Sequence, residues 1–368
     1  MLNTAVFAQN EFIIKGVVID ANTKETLPFA NVFVANTTFG TSTDGSGNYE
    51  IKLPSSGSYD LVISFMGYET FARSVRFIKP NIVVLDANMV TKSKRIAGVT
   101  VTARKDALWQ SNLDRFKEGF LGRSVAAKRS KIINEEVLNF EMDDKTGVFE
   151  AYAAEPLIIE NKALGYRLTY LLEDYRVFMK EGFSTFYGFS AFEEIEAKSK
   201  RKKNKYTKQR NNAYYGSLQH FFHEMYNDNV LNAGFEIYHA YDLDGVGRVI
   251  NPEQLEVSKI MREELDGQIK ILEFKDFLYV YYKNEKESSN YLLHTQGSLK
   301  IEKVNDKSTR GSQNSWIKMR DEATLIEFES NGYVRNPMDF YSYGYWGYEK
   351  IGDMMPINFT PKVLEEKQ

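Results

Sequence analysis

A chain of 368 residues is long enough for two domains with separate cores, and 25 Phe and 23 Tyr against only 8 Pro point to a folded, β-rich protein. A formal net charge of −3 excludes a globally basic nucleic-acid binder. The absence of cysteine excludes disulfides, thiolate metal sites, cysteine nucleophiles and a lipid anchor on an N-terminal cysteine.

The chain starts "MLNTAVFAQN", with Val6 and Ala8 at the −3 and −1 positions of a signal-peptidase site and Gln9 as the first mature residue. Residues 1–8 therefore read as the remnant of a secretory signal peptide, the alternative being a short disordered terminus. No run of 18 apolar residues follows, so no transmembrane span is expected. The expected location is the periplasm, with peripheral association at the outer membrane.

From Glu11 to about Arg104 come short alternating segments: "FIIKGVVID", "ANVFVAN", "NYEIKL", "YDLVISFMGY", "FARSVRFI", "NIVVLDANM" and "VTVTA". Seven such strands without a helix predict a β-sandwich over residues 9–104. Asp44, Gly45 and Gly47 form a turn there, with the Asp44 side chain as its cap, while Tyr49, Ile51 and Leu53 point inward. Tyr59, Leu61, Ile63 and Phe65 share one face.

Residues 105–368 read as a β-dominated α+β domain with two or three helices. It opens with a helical stretch near 107–126 and continues β-rich to Val177. The segment 198–210, "KSKRKKNKYTKQR", holds eight basic residues in thirteen and is expected to be a mobile, solvated loop. Leu218, Phe221, Phe222 and Met225 recur at helical spacing, with a strand after them. "PEQLEVSKIMREEL" from Pro252 looks like a helix start, "QIKILEFKDFLYVYYK" and "SSNYLLHTQGSLKI" alternate as strands, and Asn331-Gly332 is a hairpin-type turn.

Gly16 to Asp20, Leu27-Pro28-Phe29-Ala30-Asn31-Val32, Gly40 with Thr43-Asp44 and Gly47, and Gly67-Tyr68 together resemble the carboxypeptidase regulatory-like domain with its transthyretin-like sandwich. "IAGVTVTA" resembles the element closing that domain in envelope proteins of Bacteroidota. The second part carries Phe120-Leu121-Gly122, Glu155-Pro156-Leu157, Asn161 with Leu164-Gly165-Tyr166, Gly216-Ser217-Leu218 with His220-Phe221, and Gly344-Tyr345-Trp346 to Glu349 with Met355-Pro356. With these the chain resembles the carboxypeptidase-like regulatory domain-containing proteins of Bacteroidota along most of its length. In the peptidases this domain is an appendage and the zinc site lies elsewhere. None of the four histidines here starts a His-x-x-Glu pair. Ser130 stands where many relatives would carry cysteine.

Candidate sites are few. Asp242, Asp244 and Glu253 fall at calcium-loop positions, but Val246 removes a needed oxygen, so a turn between strands is favoured over a metal site. His220 and His223, three apart on a helix, could hold a metal, although packing of one histidine among aromatics with the other facing solvent is favoured. Lys200, Arg201, Lys202, Lys203 and Lys205 suit anionic lipid, lipopolysaccharide phosphates or an acidic protein, and Tyr343, Tyr345 and Trp346 suit sugars or partner proteins, although a core strand with a polar edge is favoured for their stretch. No nucleophile elbow, nucleotide loop or cofactor motif is present. The expectation is a non-catalytic envelope scaffold without a cofactor, acting with an outer-membrane barrel protein or its transport or assembly machinery. The alternatives are a glycan- or peptidoglycan-binding module or hydrolase working through the C-terminal aromatics, or a metal-dependent enzyme.

Overall fold

The computed structural model describes residues 11–92, 107–264, 267–296, 311–320 and 323–362, so the leader remnant and "IAGVTVTA" lie outside the described residues. The protein is mainly β and divides into two compact units. The first holds residues 1–113, 132–159 and 167–194, the second residues 114–131, 160–166 and 195–368.

The sandwich of the first unit contains β1 (Phe12–Asp20), β2 (Asn31–Val34), β3 (Gly40–Ser42), β4 (Asn48–Leu53), β5 (Gly57–Ser64), β6 (Phe71–Phe77), β7 (Asn81–Val84) and β8 (Ala87–Met89). One sheet runs β4-β1-β7 with β8 also on β1, and the other runs β3-β2-β5-β6. Alternation does what period two requires: β4 is exposed and buried in strict turn, with Tyr49, Ile51 and Leu53 inward. These meet Ile14, Val18, Val32, Leu61, Ile63 and Phe77 in one core, each full burial contributing roughly 1.5–3 kcal/mol. Two features of this sandwich are absent from the periodicity. The three-residue β3 is exposed throughout, so it has no apolar alternation to show. "NIVVLDANM" breaks into β7 and β8 at Leu85-Asp86, where Leu85 N donates to Lys15 O (2.8 Å) and Asp86 Oδ1 accepts from Val17 N (2.9 Å). Gly16 permits that crossing, because a Cβ there would stand 2.1 Å from Leu85 O.

The turn before β4 forms around Asp44, whose Oδ1 accepts from Ser46 N and Asn48 N, both at 2.8 Å. Thr43 is buried beneath it, its hydroxyl donating to Leu27 O (2.6 Å) and accepting from Ala30 N (2.8 Å). Backbone groups of the Leu27–Ala30 loop thus find partners that no strand supplies.

The chain continues with α1 (Ala107–Phe120), whose residues up to Leu113 belong to the first unit and the rest to the second, and a six-stranded sheet, most of it in the first unit, of β9 (Ser130–Ile132), β10 (Leu138–Asp143), β11 (Val148–Ala153), β12 (Leu157–Asn161), β13 (Tyr166–Phe178) and β14 (Phe183–Glu194). Its order is β10-β11-β13-β12-β9, with β14 on β13. Trp109 of α1 donates to Leu138 O (3.2 Å) and packs on Phe140.

The second unit contains α2 (Lys200–Tyr214), α3 (Leu218–Tyr226), β15 (Phe235–Leu243), β16 (Gly247–Gln254), β17 (Met261–Glu263), β18 (Ile269–Leu272), β19 (Phe277–Lys286), α4 (Ser289–Gln296), β20 (Ser312–Met319), β21 (Ile326–Glu329), β22 (Phe340–Gly344) and α5 (Tyr345–Tyr348). Its sheets run β16-β15-β19-β20-β22 and β17-β18-β21. Phe221, Phe222 and Met225 of α3 lie fully buried against Phe235, Leu278, Ile317, Phe328 and Trp346. Between β21 and Val334 the chain reverses at Asn331-Gly332, with Gly332 at φ +80°.

Three local expectations are corrected. Residues 200–210 are helix and not loop: Lys, Arg and Gln favour helix, Ser199 caps the start by accepting from Lys202 N, and Tyr206, Arg210 and Tyr214 recur every fourth residue on a buried side. Residues 252–263 hold no α-helix; Pro252 lies in β16, an edge strand that tolerates a missing N–H, and β17 follows. Residues 289–296 are helix and not strand, with consecutive Tyr291 and Leu292 both buried and Ser288 Oγ accepting from Tyr291 N at 3.2 Å. Among the described residues no helix is long and apolar enough to cross a membrane.

Candidate functional site

Among the described residues of the first unit an open groove lies beside β3. It exists because the loop after β2 is tied to β14. Asn36 N donates to Ser190 O (2.6 Å), Ser190 Oγ donates to Asn36 Oδ1 (2.8 Å), and Phe192 N donates to Thr37 O (2.9 Å). Thr37 and Ala191 form a parallel bridge. Under this strap Phe33, Ala35 and Val62 pack on Leu171, Phe189 and Ala191, so β5 is buried on both faces and not only on the face of Tyr59, Leu61 and Ile63. Between β3 and the β13–β14 hairpin a cavity of about 280 Å³ remains open.

Thr41 and Ser42 of β3, Thr169 of β13 and Glu193 of β14 line it, together with the Phe33 and Phe192 rings. No histidine, lysine or arginine lines it. β3 is the outer strand of its sheet, and Gly40, Thr41 and Ser42 are exposed. The groove therefore offers a strand edge, uncharged hydroxyls and one carboxylate. That chemistry receives an extended backbone through hydrogen bonds and has no nucleophile–base pair with which to break one.

The residues singled out from sequence are placed as follows. His220 lies 3% exposed among Tyr214, Tyr215, Phe235 and Tyr282. Its Nδ1 accepts from Gly216 N (3.1 Å) and its Nε2 faces Glu224 Oε1 (3.5 Å). Burial presses its pKa down to about 4, against the pull of Glu224. His223 is partly exposed, with Nδ1 donating to Ser330 O (2.6 Å). One histidine thus packs and the other meets solvent. "GSLQH" is a helix start: Gly216 at φ +81°, Ser217 accepting from His220 N, and His220 holding the glycine N–H.

Asp242 is paired with Arg248 (3.1 Å) across the β15–β16 hairpin, and Asp244 lies in the turn between those strands. Glu253 lies well along β16, exposed. Among the described residues no three His, Asp or Glu side chains are grouped to hold a metal ion. Lys200, Arg201, Lys202, Lys203 and Lys205 all lie on α2.

Of the three aromatics, Trp346 is buried and donates its indole N–H to Gly216 O (2.8 Å), and Tyr345 packs on Tyr291 and Tyr348. Tyr343 belongs to a row that sequence reasoning missed. Tyr279, Trp316 and Tyr343 are opposed in register and stack at 5.4 and 5.9 Å with interplanar angles of 5° and 9°. Parallel rings this close turn their faces to one another. Only strand register brings them together, so no sequence spacing announces the row.

A further group escaped the sequence. Burial raises the Asp353 carboxyl to about 6 although Ser124 Oγ donates to its Oδ1 at 2.6 Å, and Oδ2 is buried without a partner. Glu349 is raised well above the carboxylate range by burial, then by Asp353 and Glu285.

Residues 14–101 match the CarboxypepD_reg-like domain, so the sandwich is a carboxypeptidase regulatory-like domain, which is a non-catalytic one. A search of curated proteins found no match. Among solved structures, the chain is similar to a putative membrane-associated protein of unknown function from Bacteroides fragilis, at 11% identity over 90% of this chain and 93% of that one, TM-score 0.18. It is similar to a DUF3823 family protein from Bacteroides ovatus at 12% identity, over 51% and 82%, TM-score 0.18. It is also similar to a group B streptococcus pilus 2b backbone protein at 18% identity, TM-score 0.19, over 23% of this chain and less than half (43%) of that one. At these TM-scores nothing about activity follows.

Proposed function

We propose that this protein is a non-catalytic binding or scaffold subunit of a Bacteroidota cell envelope. It is exported, attaches peripherally on the periplasmic side of the outer membrane, and acts with an outer-membrane barrel protein or its transport or assembly machinery. The observation that supports this most is the groove beside β3: an outer strand with hydroxyl-lined walls and no cation. An extended segment of the partner pairs with β3 as an added strand, its side chains alternating between the Phe33 and Phe192 rings and solvent. Glu193 at the groove wall favours a basic residue in that segment.

The test is co-purification of the tagged full chain from detergent-solubilised native envelopes, beside a Thr41→Arg/Ser42→Arg variant. Both positions are exposed, so the variant blocks the groove without touching a core. The native chain is expected to carry a barrel or barrel-associated protein, and the variant about tenfold less or lower still. A native chain that leaves the envelope alone, or a variant that retains its partner in full, ends this assignment. Glycan binding is the alternative. Rings stacked on one another leave a sugar little free face, so isolated glycans are expected not to bind.

A further inference from the structure

α2 is held as a rigid strut in the second unit. Tyr206, Arg210 and Tyr214 are buried along one side. The Arg210 guanidinium donates to Leu164 O (2.7 Å) and Gly165 O (2.9 Å) and lies 3.9 Å from the Tyr166 ring centre. Three hydrogen-bonding and cation–π partners therefore satisfy a cation that has left water. Gly165, at φ +70°, lets the Tyr206 ring lie flat on its backbone; a Cβ there would stand 2.6 Å from the ring. At the far end Asn211 exchanges side-chain bonds with the Lys362 backbone, donating to its carbonyl (2.8 Å) and accepting from its N–H (3.2 Å).

The opposite side carries Arg201, Lys205 and Lys208, spaced i, i+4, i+7 and all exposed. They form a straight stripe about 10 Å long. Lys198 and Lys200 lie at the N-terminal end of the stripe and Lys362 beside its C-terminal end, all exposed. Among the described residues none of Lys198, Lys200, Arg201, Lys205, Lys208 and Lys362 has an ion-pair partner. Cations at i, i+4 repel one another, and cations in the first turn oppose the helix dipole. The first turn of α2 holds no acidic residue to offset either effect. The packing on Tyr206, Arg210 and Tyr214 keeps this face assembled at an electrostatic cost that an anion opposite it would remove.

From this geometry we infer that the outer face of α2 is a docking face for a bilayer surface bearing anionic phosphate headgroups. A straight row of point charges matches a flat, repeating array of phosphates better than a single anion. The stripe holds no apolar or aromatic side chain between Arg201 and Lys208, so contact is electrostatic adsorption and not insertion. The inference is independent of the β3 groove.

The experiment is co-sedimentation of the full chain with vesicles of phosphatidylcholine alone or with about a third phosphatidylglycerol. The native protein is expected on the anionic vesicles only, and released by 0.5 M salt, on the order of the concentration that shortens the screening length to a few ångströms. Each cation contributes about fivefold, so Arg201→Gln/Lys205→Gln/Lys208→Gln is expected to bind about a hundredfold more weakly. Removing like-charge repulsion leaves the helix folded, which circular dichroism checks. Lys79→Gln/Lys131→Gln/Lys275→Gln changes the net charge equally and is expected to bind like the native protein. Equal binding to both vesicles, indifference to the triple change on α2, an equal loss in the control variant, displacement by millimolar-order inorganic pyrophosphate, or tighter binding to duplex DNA than to vesicles would each overturn the inference.

Discussion

The sandwich core and the core under α3 are built from different materials. The first is mostly aliphatic: Ile14, Val18, Val32, Ile51, Leu61 and Ile63 come from adjacent short strands and fill a space between two sheets. The second is aromatic, with Phe221, Phe222 and Phe235 from one segment and Phe328, Phe340 and Trp346 from another far along the chain. Phe221 alone contacts Phe222, Phe235 and Trp346 rings within 5.5 Å. The aliphatic core spreads its stabilisation over many small contributions. The aromatic core concentrates it in a few large side chains, each with several ring partners, and so is more vulnerable to a single change.

The largest expected effect tests that concentration. Phe221→Ala should lower stability by about 3–5 kcal/mol in urea unfolding, whereas Ile63→Val in the sandwich should cost about 1 kcal/mol. A loss below ~1 kcal/mol for Phe221→Ala would break the contrast.

Next comes the pH dependence centred on His220, which belongs to the aromatic core alone. Its folded-state pKa of about 4 lies below the ordinary 6.5. As pH falls through 6.5 the unfolded chain gains a proton that the folded one refuses, so stability is lost from there down to about pH 4 and is intact above. The full loss is about 3 kcal/mol. Asp353 works the other way, since its raised value of about 6 makes the folded state take up a proton sooner than the unfolded chain as pH falls, adding stability there. The quantity to measure is therefore the stability difference between the native chain and His220→Gln, from pH 4 to pH 8, for which the slope should lie below neutrality. A flat difference would place the ring in water.

The smallest effect sharpens the sandwich side. Thr43→Val keeps the shape but strips the hydroxyl from Leu27 O and Ala30 N, and should cost about 1–3 kcal/mol. Asp44→Ala, at an exposed turn, should cost clearly less. If the two were equal in thermal melts, the loop would be held from outside and not from beneath.

Much of the sandwich could be read directly, because each of β1, β4 and β5 announces itself within six to nine residues. Asp44, Gly45 and Gly47 were readable as a turn, though not the buried hydroxyl of Thr43 beneath it. The candidate sites were less accessible. The groove depends on Asn36 and Thr37 meeting Ser190 and Phe192, about 155 residues on. The helix α2 was hidden because eight like charges dominate its composition while the three residues that anchor it count as ordinary tyrosines and one more cation. In "FYSYGYWGYEK" the rings were visible, but which were buried was not: Trp346 is inside, and Tyr343 stacks on Trp316 of another strand.

By itself the sequence determined the β-rich class, the regulatory-like sandwich, the helix through Phe221 and the absence of thiol chemistry. The class, the helix and the missing thiols follow from periodicity and residue type, which act over a single turn or strand, and the regulatory-like domain follows from the resemblance of its motifs. Tertiary structure alone decided that a self-repelling basic run is a helix, that an exposed three-residue strand borders a groove, and that His220 is buried while His223 is not. Burial and register are set by whichever distant segment arrives opposite, and a one-dimensional pattern carries no record of that.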